Sequence, residues 1–160
     1  MWHLAEFQPS EIIALAVKVE EKGAELYKRL AEKAETDEIK DLLLFLASEE
    51  EKHQEDFKDL GKDLEPIDPR ETYAGEYLNY VRSTVETHMF IDDKWVEKVI
   101  ETAASETDVV RLAAIFEKDS ILFFTGFKKL LNEKKQGIIE DLIKEEEGHL
   151  VKLANIMKDI

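Results

Sequence analysis

Two short stretches of the chain carry the same side chains in the same order. SEEEKH (residues 48–53) and KEEEGH (residues 144–149) each place three consecutive Glu, one spacer and a His. In each, a Glu and the His three residues on (Glu50 and His53, Glu146 and His149) share one helical face, because a step of three or four residues returns a helix to the same side. An interior Glu precedes each stretch at nearly equal distance: Glu20 lies 33 residues before His53, and Glu117 lies 32 before His149. Carboxylates and imidazoles are oxygen and nitrogen donors, so the chemistry they offer together is cation binding. The chain has no Cys, which excludes disulfides, thiolate catalysis, iron–sulfur clusters and Cys-ligated zinc.

These residues act together only if the elements carrying them put them at one place. On a helix around residue 50, Leu43, Leu46, Glu50, His53, Phe57 and Leu60 follow steps of three and four and form one inward stripe. Ile139, Leu142, Glu146, His149, Leu153 and Ile156 do the same on the last helix, while Glu49, Glu51, Glu145 and Glu147 turn away. Glu20 falls on the stripe of Val17, Gly23, Ala24 and Tyr27, and Glu117 on that of Ala113, Ile121 and Phe124. In an antiparallel hairpin, residues equidistant from the turn meet. The midpoint between Glu20 and the Glu50/His53 pair is the Glu35-Thr36-Asp37 turn, and that between Glu117 and the Glu146/His149 pair is the Leu131-Asn132-Glu133 break. Both sets then lie roughly 20 Å from their turns. The chain reads as a duplicated helical hairpin.

Scarce Gly (6) and Pro (3) and the helical spacing of apolar residues predict an all-α fold. Ser10 is a candidate N-cap for a first helix to about residue 34; Thr36 and Asp37 open a second, which Gly61 closes. Lys62–Arg70, with Pro66 and Pro69, reads as a loop. Tyr73, Tyr77, Val81 and Val85 predict one crossover helix, and Trp95, Val96, Val99, Ile100 and Ala103 a shorter one opened by Asp92 or Asp93. Ser105–Thr107 caps the third core segment, which runs to about Asn132. The expectation is a single domain over 1–160, a four-helix bundle with crossover 62–106 joining its second and third core helices.

With 22 Lys and Arg against 37 Asp and Glu, the net charge is −15, which argues against nucleic acid and against an anionic membrane surface as partners. Apolar residues at 44% set the chain apart from disordered acidic sequences. The first ten residues lack the pattern of an export signal, and no apolar run approaches the roughly 20 residues of a membrane span, so a cytoplasmic protein is expected. Runs of Glu on helices are ordinarily solvated faces. Burying four carboxylates together costs several kcal/mol each unless something compensates. Two divalent cations bring +4 against the −4 of Glu20, Glu50, Glu117 and Glu146, with neutral His53 and His149 completing the donors. A Glu from each of two helices and a Glu-x-x-His from each of the other two is the pattern of carboxylate-bridged dinuclear sites in helical bundles. Such donors suit iron or manganese, with zinc as a substitute. His88, in ETHMF, reads as a partly exposed helix residue, and His3 carries little weight.

At VEEKGAELY (19–27), EEEKH (49–53), FEKDSILFF (116–124) and EEEGH (145–149) the chain resembles the four metal-binding helices of the rubrerythrin branch of the ferritin-like superfamily. The resemblance covers about two-thirds of the chain. It implies Glu50 and Glu146 as bridging carboxylates, Glu20 and Glu117 as terminal ligands and one His per metal. Tyr27 matches the family's tyrosine that hydrogen-bonds a ligand carboxylate; its duplicate, Phe124, cannot. Ser120 stands where many members carry a further ligand Glu. What the resemblance implies is a di-iron protein reacting with peroxide or dioxygen, with an external redox protein as electron donor and a homodimer as assembly. Ferroxidase-linked iron storage is the alternative, and a structural bundle with a vestigial site the third reading.

Overall fold

The computed structural model describes residues 9–64, 73, 75–88 and 92–160. Among the described residues six helices follow one another: α1 (Pro9–Lys33), α2 (Asp37–Leu60), α3 (Glu76–Glu86), α4 (Asp93–Thr102), α5 (Glu106–Lys128) and α6 (Glu133–Met157), with a 3-10 turn at Gly61–Asp63 closing α2. The four long helices make the bundle as two hairpins, α1 on α2 and α5 on α6, joined across α1 and α5 and across α2 and α6. α3 packs on α5 within the crossover. No strand occurs among the described residues, and none of their helices is long and apolar enough to cross a membrane. His3, the first eight residues and the Pro66/Pro69 part of the predicted loop lie outside the described residues.

Side chains near the helix ends explain the segmentation. Ser105 Oγ accepts from Asp108 N at 3.1 Å, and Asp108 reaches back to Ala104 N at 3.1 Å, opening α5. Asn132 Oδ1 accepts from Lys135 N at 3.0 Å and opens α6, while Asp92 accepts from Lys94 N and opens α4. Two expected caps differ. α1 is already helical at Pro9, so Ser10 lies inside it; proline suits a first helical turn because it has no N–H to satisfy. Thr36 precedes α2 without a side-chain cap, and Glu106 of α5 instead accepts from the two N–H groups just before the helix, Glu35 N at 2.8 Å and Thr36 N at 2.6 Å, fixing the turn between α1 and α2.

Gly61 follows α2 with φ −73°, a right-handed conformation rather than the left-handed helix stop expected of glycine. Its small size has another use, since a Cβ there would stand 3.0 Å from Cγ2 of Ile13. The core runs the length of the bundle, with Tyr27, Leu30, Leu43, Leu46, Phe57, Phe116, Phe123 and Phe124 fully buried. In the crossover Val81, Val85, Val96 and Ile100 point inward. Tyr73 falls before α3 and is exposed, and Trp95 sits one position off the buried face of α4, so neither joins the core as their spacing suggested. On α5 Ser120 is fully buried and Ile121 only partly, one residue's rotation from the expected stripe.

Candidate metal centre

Glu20, Glu50, His53, Glu117, Glu146 and His149 meet midway along the bundle, one from α1, two from α2, one from α5 and two from α6. Five of them are at most 1% exposed, and His149 is 4% exposed. Their ligand atoms fall into two overlapping groups, each with atoms within 4.8 Å of one another: Glu20, Glu50, His53 and Glu146, and Glu50, Glu117, Glu146 and His149. Glu50 and Glu146 belong to both. The two imidazoles stack at 6.0 Å between centroids and 20° between planes.

Both imidazoles turn Nδ1 toward the carboxylates. His53 Nδ1 lies 2.8 Å from Glu146, 3.1 Å from Glu20 and 3.4 Å from Glu50. His149 Nδ1 lies 3.1 Å from Glu146 and 3.4 Å from Glu117. His53 therefore faces the interior Glu of its own hairpin and Glu146 of the other, whereas the two carboxylates nearest His149 both belong to its own hairpin, with Glu50 of the other at 3.9 Å. Tyr27 Oη donates to Glu117 Oε1 at 2.5 Å. Its ring meets Phe116 edge-on at 5.5 Å. Gly23 makes room for that ring, since a Cβ there would come within 2.4 Å of Phe116 Cζ.

Protons alone leave the cluster incompletely satisfied. Oε1 of Glu20, both oxygens of Glu50 and Oε2 of Glu117 are buried and accept no hydrogen bond; Oε1 of Glu146 is near His53 but badly aligned to accept from it. Burial lifts the Glu20 carboxyl to about 7, against the adjacent Glu50 and His53 side chains that pull it down. Burial, then the Glu20 charge, holds Glu50 well above the usual range; burial, then Glu146, does so for Glu117. For the imidazoles burial disfavours the charged form, but the surrounding carboxylates outweigh it, raising His149 to about 10 and His53 further. Four carboxylates against two imidazoliums still leave −2 when all are charged. Two divalent cations with neutral imidazoles bring the sum to zero and give the unpaired oxygens a partner, so the donor set fits such ions.

Two side chains depart from expectation. Glu145 does not turn away from the cluster: its carboxylate reaches His53 Nε2 at 2.7 Å, because a residue one step off the inward stripe lies at the helix flank, where a long side chain spans to the neighbouring helix. His88 is buried rather than partly exposed, just past α3, with Nε2 3.4 Å from Ser120 Oγ and its ring 5.2 Å from that of Phe116. Burial lowers its pKa to about 4, against the Asp119 charge that raises it. The helical phase had no signal for His88, since its burial comes from α3 packing on α5.

Fold and cluster together define a ferritin-like helical bundle. The structure superposes with a TM-score of 0.68, over 95% of each chain and at 24% identity, on a crystal structure described as that of a ferritin-like diiron-carboxylate protein from Thermotoga maritima. The rubrerythrin family profile matches residues 11–157, and the chain belongs to that family. Among curated proteins none matches the sequence.

Proposed function

We propose that the cluster is a dinuclear iron centre and that the protein reduces peroxide with electrons delivered by an external redox protein. The observation that carries this reading is the pair of overlapping four-residue groups sharing Glu50 and Glu146, with buried carboxylate oxygens left without hydrogen bonds. Glu50 and Glu146 would be shared by the two ions; Glu20 with His53 would hold one ion and Glu117 with His149 the other. When bound, two Fe(II) ions supply one electron each to the O–O bond, and hydrogen peroxide with two electrons and two protons gives two waters.

The chain's own contribution is position and exclusion of water. Tyr27, kept protonated by burial and by the Glu117 and Glu50 charges, holds the Glu117 carboxylate in place. Phe116, fully buried against Tyr27, helps keep bulk water from the polar centre. Buried in this way, the four carboxylates and two imidazoles are oriented before any ion arrives.

The test mixes the Fe(II)-loaded protein with excess peroxide, with and without a chemical electron donor. Repeated turnover only with the donor present is expected. Growth of an Fe(III) core as excess Fe(II) is supplied would support iron storage instead. Unchanged behaviour in a Glu50→Ala, Glu146→Ala double variant would support the vestigial site.

A further inference from the structure

Outside the six residues of the cluster, Glu145 makes a direct contact with one of its imidazoles. It precedes Glu146 on α6, its side chain is 52% exposed, and it accepts from His53 Nε2 at 2.7 Å. His53 is thereby held at both ends, with Nδ1 facing Glu20, Glu50 and Glu146. The other half of the repeat lacks this contact. Glu49, the counterpart of Glu145, pairs with Lys52 at 2.5 Å. Among the described residues, the carboxylates paired with His149 are Glu50, Glu117 and Glu146, all through Nδ1. The His149 ring instead meets the half-exposed Phe45 edge-on at 6.3 Å, with Lys152 Nζ 4.4 Å from the Phe45 centroid.

We propose that Glu145 is a positioning residue for the His53 half of the centre, and that it makes the two metal positions unequal, with the Glu20/Glu50/His53/Glu146 position the tighter. A carboxylate accepting from the outer nitrogen of an imidazole fixes the tautomer and ring angle, leaves the inner nitrogen free for a metal and raises its basicity. The two halves, near duplicates in sequence, thus differ in what stands behind each imidazole. The inference rests on the metal-binding reading above, and its test separates the two.

The experiment is an anaerobic Co(II) titration of the whole chain by calorimetry and by the visible cobalt bands, with circular dichroism reporting folding. Wild type should bind two ions in two distinct steps. Glu145→Ala should weaken the tighter step by about 10- to 100-fold and shift the other by less than about threefold. Glu145→Gln, which keeps an acceptor oxygen, should recover most of the loss, and Glu49→Ala should leave both steps as in wild type. Two equal steps in wild type, unchanged steps in Glu145→Ala, or equal weakening of both would overturn the inference while leaving the metal centre standing. A wild-type protein that binds no Co(II) would overturn the metal reading and this inference with it.

Discussion

The Tyr27 hydroxyl and the Glu117 carboxylate are buried together, so the hydrogen bond between them has no water to replace it. Tyr27→Phe should weaken the metal-free protein by about 1–3 kcal/mol in urea denaturation, because it leaves a buried acceptor unmet. An unchanged midpoint would mean that Glu117 finds another partner. His88 carries a pH signature. Its pKa of about 4 lies below the ordinary 6.5, with burial the main cause and Asp119 opposing. The unfolded chain therefore takes up this proton first as pH falls. The contribution is whole above about 6.5 and is lost on the way down to about 4, a few kcal/mol in all. Glu20, raised to about 7 in the metal-free protein, has the opposite sign, and its contribution is lost as pH rises from 4.5 through 7. Comparing wild type with His88→Phe in urea across this range isolates the histidine: the variant should lose less stability toward acid. The six cluster residues were legible in the sequence because each sits on an apolar stripe of helical period, where a polar residue stands out. Glu145 was not, since it lies off the stripe and acts by reach.

Among the helices, the hairpins were legible through their caps, breaks and duplicated spacing. Links between hairpins were not, because a side chain from one hairpin can hold the turn of the other through its backbone N–H groups. Glu106, which accepts from the backbone N–H groups of Glu35 and Thr36, is such a link. Glu106→Ala should lower stability by about 1 kcal/mol, the range of a lost hydrogen bond, and speed amide exchange at Glu35 and Thr36. Unchanged exchange at Thr36 would show that water satisfies those groups. Gly23→Ala tests the packing of α1 on α5. The new methyl would meet the Phe116 ring, itself held against the Tyr27 and His88 rings, and a loss of about 1–3 kcal/mol in urea is expected.

For the whole molecule, the −15 net charge divides into a solvated majority and a small buried share. Four of the 37 acidic residues face the centre, and with charged carboxylates and neutral imidazoles two divalent ions would bring the formal total of −15 to −11. His149, raised to about 10, and His53, raised further, are protonated at pH 7 in the metal-free protein. Metal loading should therefore release protons, about one from each imidazole and more from the raised carboxyls. Calorimetry in buffers of different ionisation enthalpy measures that release, and apparent affinity should rise with pH. Loading should also raise Tm, and a chelator should reverse the gain. The most direct test of the central claim is anaerobic Fe(II) titration of the metal-free protein. Saturation at two ions per chain, abolished by Glu50→Ala with Glu146→Ala, is the predicted result. Absence of saturable binding, or binding indifferent to those two substitutions, would contradict it.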